Sequence, residues 1–300
     1  MTQPVTLWLD GLGTMKLATV LVNSRVQPAY IQGTRALLLP PHAPDSLTGL
    51  ISSFTEWRNP PVGAGIPLDE VRLLAPIPRP RRNIFCIGKN YREHAREFTA
   101  SGFDSSAKSV AHAIPKAPIV FSKVPECVVG PGDVIRYPHG VSAQVDYEAE
   151  LAVVIGREGR GISAGEAMDY VFGYTIVNDV TARDLQAKHS QWLLGKSQDT
   201  FCPMGPWIVT ADEIDGRNLG IRCHVNGELR QNASTSDLIF DIPFLISTIS
   251  AGITLYPGDI IATGTPAGVG IGFTPPRFLQ PGDEIRIEIE GIGELCNTVG

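Results

Sequence analysis

Apolar positions in this chain fall mostly in short alternating runs separated by turn residues, the pattern of many short strands rather than long amphipathic helices. Met15–Val22 and Ala29–Gly33 read as strands around turns, and Ser46 to Phe54 as a short helix. Asn83–Gly88 is a short buried-type strand, followed by a polar helical patch, Asn90–Phe98, and a Ser-, Ala- and Gly-rich segment, Thr99–Lys116, with no clear period, read as a mobile loop. Pro131-Gly-Asp, Pro257-Gly-Asp and Pro281-Gly-Asp each precede a β-rich run. Proline fixes φ at one turn position and glycine supplies positive φ at the next, which predicts a type II turn at each. Ser163-Ala-Gly-Glu166 has the spacing of a capping box and predicts a helix over Ala167–Phe172. A second helix is predicted over Asp241–Ala251, stopped by Gly252 as its left-handed cap. Many strands with few helices imply a mainly β, α+β chain with a rolled or barrel-like sheet.

The stretch Gln144–Ile155 departs from ordinary alternation. In an extended chain, residues two apart share a face, so Glu148 and Glu150 project side by side, with Ala152 and Val154 after them. Tyr147, Ala149, Leu151, Val153 and Ile155 occupy the other face. Two like charges beside an apolar wall repel and resist desolvation. Either a bound cation relieves them, or the strand has a wet face on which Asp146, Glu148 and Glu150 meet water.

The chain of 300 residues, 43% hydrophobic with 31 Gly and 24 Pro, is long enough for a large core with an appendage. Residues 1–75 form a compositional unit read as a small N-terminal β domain. The alternating prolines of Ala75-Pro-Ile-Pro-Arg-Pro-Arg-Arg82 deny helix and make 76–82 a linker with solvated arginines. Residues 83–300 form the main domain. A net charge of −6 gives no reason to expect nucleic acid. No apolar run approaches the ~20 residues of a membrane span, and Met1–Val20, interrupted by Asp10 and Lys16, lacks a signal-peptide core. Five widely spaced cysteines without a Cys-x-x-Cys suit reduced thiols and a cytoplasmic location. Cys202 has no adjacent histidine to make it a nucleophile.

A third acid, Asp179, ends the apolar strand Tyr174–Thr181 and either caps the following short helix or completes an all-oxygen trio with Glu148 and Glu150. Carboxylates without Cys or His suit Mg²⁺ or Mn²⁺ better than zinc. His94 and Glu97, three apart on the helical patch, share a face; they form a general base with its orienting carboxylate or a surface ion pair. Lys196, by itself, is a loop lysine. Gly268-Val-Gly-Ile-Gly272 looks like a dinucleotide loop but follows no βαβ pattern.

Six linked stretches converge on one family: Ile87-Gly-Lys-Asn-Tyr-Arg-Glu-His-Ala-Arg-Glu97, Val145-Asp-Tyr-Glu-Ala-Glu-Leu151, Val177-Asn-Asp-Val-Thr-Ala-Arg-Asp-Leu-Gln186, Gly195-Lys-Ser197, Val225-Asn-Gly-Glu-Leu-Arg-Gln231 and Gly258-Asp-Ile-Ile-Ala-Thr-Gly-Thr-Pro-Ala-Gly-Val-Gly270. From Asn83 to Val299 the chain resembles the fumarylacetoacetate hydrolase superfamily, and its first seventy-odd residues resemble the small β domain of longer bacterial members. The resemblance implies a mixed β-sandwich roll, a homodimer, and Glu148, Glu150 and Asp179 as ligands of Mg²⁺ or Mn²⁺. It implies His94 and Glu97 as a dyad on a lid and Lys196 as the lysine that reaches the reacting carbonyl or carboxylate. Gln186 and Thr265 match substrate-side positions, and Arg183 either assists with a carboxylate or makes an ion pair on a helix surface. The implied activity is carbon–carbon cleavage of a small 2-oxo acid beside C3, as oxaloacetate decarboxylation or acylpyruvate-type hydrolysis. The alternatives are keto–enol tautomerisation or isomerisation, and a non-catalytic metabolite-binding module.

Overall fold

A computed structural model of the chain describes residues 15–104 and 109–300. The readings that fall on residues 1–14 and 105–108, the start of the chain and the middle of the Thr99–Lys116 segment, lie outside the described residues.

The main sheet runs in the order Ile66–Pro67, Arg35–Leu38, Arg25–Gln32, Lys16–Val22, Cys202–Thr210, Val171–Asn178, Ala149–Ile155, Ile260–Ala262, Ile84–Gly88 and Ile119–Lys123. Arg72–Leu74 adds to Lys16–Val22, and Val128–Val129 to Cys202–Thr210. The strands of the N-terminal unit therefore extend the main domain's sheet, with Lys16 opposite Val209 and Leu17 opposite Ile208. A second sheet of five strands contains Glu228–Ser234, Gly220–Val225, Glu284–Ile289, Gly293–Val299 and Val134–Ile135. The mainly β architecture expected from the sequence is present.

The strand Ala149–Ile155 is buried along its whole length because it lies between two apolar layers. Tyr147, Ala149, Leu151, Val153 and Ile155 join one core and Ala152 and Val154 the other. The wet-face reading fails: Asp146, Glu148 and Glu150 are at most 4% exposed. Each Pro-Gly-Asp forms the predicted turn, with Gly132, Gly258 and Gly282 at positive φ. In each, the aspartate side chain accepts the backbone N–H three residues earlier, from Gly130, Tyr256 or Gln280, at 2.7 Å. The chain is thereby clamped just before a strand begins.

Four local expectations need correction. Ala167–Tyr170 is a single 3₁₀ turn, and Val171–Asn178 is strand. The Ser163 hydroxyl bonds the Glu166 carboxylate rather than a backbone N–H, and the β-branched and aromatic residues that follow pair with Ala149–Ile155. The helix Ile242–Ser250 is present, capped by Asp241, which accepts from Phe244 N–H at 2.9 Å; Gly252, however, is not among the residues with positive φ. The linker arginines are not all solvated. Arg82 pairs with the buried Asp259 and donates to Thr254 O at 2.7 Å, and Arg81 lies over the Tyr256 ring. The Thr99–Lys116 segment begins as the last turn of a helix, Arg92–Ala100, and includes a 3₁₀ turn at Val110–His112.

Candidate metal centre and active site

The end of Ala149–Ile155, the end of Val171–Asn178 and two short helices deliver the acidic and basic groups to one buried cleft. Asn178 lies opposite Ala149, and its side chain accepts the Glu148 N–H at 3.0 Å. This fixes Glu148 beside the strand pair from which Asp179 emerges. Ligand oxygens of Glu148, Glu150 and Asp179 lie within 4.8 Å of one another, and all three residues are buried. The helix Arg183–Lys188 starts at Ala182, with no side-chain cap, so the capping role considered for Asp179 is not used.

Lys196 is the last residue of a one-turn helix, Leu193–Lys196, and is buried rather than a free loop lysine. Its Nζ stands 2.8 Å from Glu148 Oε2 and 2.8 Å from Asp179 Oδ2. Arg183 is fully buried, which rules out a helix-surface ion pair. Its Nε meets Asp146 Oδ2 at 2.9 Å, and its Nη1 meets Glu148 Oε1 at 2.7 Å and Gln186 Oε1 at 3.1 Å. Its Nη2 is buried without a hydrogen-bond partner in the protein. Thr265 Oγ1 accepts from Gln231 at 2.7 Å and faces the same cleft.

The helix Arg92–Ala100 brings His94 over the cleft. His94 Nδ1 lies 3.4 Å from Glu97 Oε2, and both Glu97 oxygens face the Gly268 N–H at 3.1–3.2 Å. With side-chain exposures of 5% and 17%, this pair is not a solvated surface bridge. Phe98, Phe121 and Trp192 form part of the cleft wall. Trp192 packs edge-on against both phenylalanines, and the His94 ring stacks on Phe98. An apolar wall beside so many charges strengthens every electrostatic interaction inside.

Burial alone would raise the Glu148 carboxyl, but Lys196, Arg183 and His94 outweigh it and hold the group at about 2. Glu150 goes the other way. Burial, then Asp179 and Glu148, push it well above the usual carboxylate range, against Lys196 and the Gly264 N–H, which lies 2.9 Å from Oε2. One acid of the trio therefore lacks a compensating positive charge, and hard carboxylate oxygens converge at the same point. That donor set suits a divalent cation of the Mg²⁺ or Mn²⁺ type.

Two participants were not identified from the sequence. Lys123, fully buried at the end of Ile119–Lys123, meets Asp179 Oδ1 at 2.7 Å and Val180 O at 3.1 Å, and donates also to Lys196 O. Burial opposes its charge, yet Asp179 and neighbouring thiols raise its pKa overall. Asp146, considered only as a water-facing acid, instead anchors Arg183. No short-range pattern marks Lys123, because its partners lie 56 to 73 residues away.

Comparison with known proteins agrees with this geometry. Residues 83–300 match the family profile described as fumarylacetoacetate (FAA) hydrolase, C-terminal. The chain is 51% identical over 261 residues to oxaloacetate tautomerase YisK of Bacillus subtilis, covering 85% of this chain and 83% of that protein. It is 46% identical over 237 residues to human mitochondrial oxaloacetate tautomerase FAHD2A, covering 78% and 71%. Among solved structures, a fumarylacetoacetate hydrolase from Exiguobacterium antarcticum superposes with a TM-score of 0.80 at 41% identity, covering 95% of this chain and 99% of that one. A 2-hydroxyhepta-2,4-diene-1,7-dioate isomerase from Mycobacterium marinum gives 0.75 at 38% identity, covering 95% and 98%.

Proposed function

The chain is an enzyme of the fumarylacetoacetate hydrolase family, and from that premise we propose that it forms and resolves the enolate of a small 2-oxo acid, with oxaloacetate as the first candidate. The observation that carries this reading is the buried carboxylate trio of Glu148, Glu150 and Asp179, two of whose members line one cleft with His94 and Lys196. Glu148, Glu150 and Asp179 would hold Mg²⁺ or Mn²⁺. When bound, that ion supplies a Lewis acid that stabilises negative charge on the 2-oxo group.

The chain's own residues do the remaining work. Lys196 Nζ, already between two carboxylates, is placed to donate to the substrate carboxylate or a developing oxyanion. The unpartnered Nη2 of Arg183 offers a second donor on the same wall. Glu97 fixes the tautomer and orientation of His94, which is the general base. If the fragment leaving C3 is carbon dioxide, no attacking water is needed, and the enolate left behind takes a proton at C3 to give pyruvate. If it is an acyl group, His94 activates the water that attacks it.

A second reading, keto–enol interconversion without loss of carbon, draws support from the relatives named oxaloacetate tautomerase. There His94 exchanges a proton with C3, and no bond between carbons breaks. NMR of oxaloacetate and of an acylpyruvate with purified protein separates the two readings. Both require turnover that stops with EDTA and returns with Mg²⁺ or Mn²⁺. Loss of carbon selects cleavage, enol–keto exchange with carbon retained selects the second, and binding without either change would leave only a metabolite-binding module. His94→Ala should keep its Mn²⁺ affinity and lose ~10²-fold or more in rate; normal turnover would remove His94 from the mechanism. The reading extends to a homodimer, which sedimentation tests. All five cysteines are free thiols, which supports a reducing, cytoplasmic setting that localisation of a tagged protein would check.

A further inference from the structure

The glycine run Gly268–Gly272, which leads into a 3₁₀ turn, touches both halves of the site. On one side the Gly268 N–H faces both oxygens of Glu97. Gly272 lies directly beneath the same carboxylate, so that a β-carbon there would overlap it. On the other side Gly270 N–H donates to Asp146 Oδ1 at 2.6 Å and Ile271 N–H to Asp146 Oδ2 at 3.1 Å. A β-carbon on Gly270 would stand 2.5 Å from the Arg277 carbonyl oxygen and 2.7 Å from Asp146 Oδ1. Asp146 also accepts the Tyr147 N–H at 2.9 Å and Arg183 Nε at 2.9 Å, and Arg183 in turn grips Glu148.

We propose that this turn is a two-sided carboxylate seat, in which Gly268 and Gly272 position Glu97 while Gly270 and Ile271 position Asp146, so that one backbone segment sets the lid dyad and the Arg183–Glu148 arm in register. Asp146 is thus a positioning residue, acting on the metal carboxylates through Arg183. Glycine is required at 272 because the Glu97 carboxylate occupies the space that a methyl group would fill, and at 270 because the Arg277 carbonyl and the Asp146 carboxylate together occupy it. The inference rests on reading His94 and Glu97 as the dyad.

The test is a double-mutant cycle of Gly272→Ala and Glu97→Ala, followed by Tm, Mn²⁺ titration and oxaloacetate turnover. Gly272→Ala alone should lower Tm and cut kcat ~10-fold or more by displacing Glu97, with Mn²⁺ affinity unchanged. In the Glu97→Ala background, where the obstructing carboxylate is gone, the same methyl should leave Tm and kcat nearly as they were. An equal loss in both backgrounds would mean that the glycine serves only the turn, and would overturn the seat; so would no loss in either. If Gly272→Ala alone does not accumulate, folding of the double variant supports the seat and its failure to fold overturns it. Asp146→Asn should weaken Mn²⁺ binding ~10-fold, as loss of an outer-shell partner does, and unchanged affinity would overturn that half. Full activity of Glu97→Ala would instead defeat the dyad reading, while the Tm cycle would still report on the seat.

Discussion

Glu150 is the acid of the trio that burial, Asp179 and Glu148 push above the usual carboxylate range. A carboxyl whose folded pKa is raised contributes stability below its unfolded pKa and loses it as pH rises through the folded value. Glu148, held at about 2, has the opposite sign: its contribution is present above the unfolded value and fades as pH falls towards 2. The metal-free protein at neutral pH therefore either keeps a proton on Glu150 or bears an uncompensated charge. Mn²⁺ should raise Tm more at pH 8 than at pH 5, where the ion must displace that proton, and thermal melts across this range check it. Glu150→Gln should raise the metal-free Tm by a few degrees, about 1 kcal/mol at this chain length, while abolishing the Mn²⁺ shift. The adjacency of Glu148 and Glu150 was visible in the sequence because strand periodicity is local. The pairing of Lys123 with Asp179 was not, since tertiary folding alone brings them together.

Elements were legible where their signal lay within a few residues. The Pro-Gly-Asp turns formed as read, and the helix predicted over Asp241–Ala251 formed over Ile242–Ser250 with Asp241 as its N-cap. Replacing Asp241 with Ala removes the bond to Phe244 N–H and should cost about 1 kcal/mol, seen as a small fall in Tm with turnover unaffected. An equal Tm would show the helix to be held by its buried face, Ile242, Leu245, Ile246 and Ile249, alone. The segment at Ala167–Phe172 shows where local signals lose. Its sequence has the spacing of a capping box but makes no side-chain cap, whereas Val171 to Asn178 gains a ladder against Ala149–Ile155, and a short isolated helix offers little in competition. That outcome also places Asp179, which directly follows the strand's last residue, Asn178.

At the scale of the molecule, the sheet is continuous from the N-terminal strands into the strands that carry or flank Glu148, Glu150 and Asp179. One core joins Leu17, Tyr30, Leu37 and Leu50 to Ala152, Val154, Met204 and Ile208. The composition that set residues 1–75 apart gave no sign of this, since strand partners distant in sequence leave no local trace. Between Trp57 and Ile66 the chain makes an exposed excursion with Val62 at its tip, 106% exposed. Strands on either side of it, Arg35–Leu38 before and Ile66–Pro67 after, are paired with each other. An elastase-type protease that cuts beside Val62 should therefore yield two bands on a denaturing gel, yet a single peak of undiminished size on gel filtration. The severed halves would remain clasped, and the nicked enzyme would go on working.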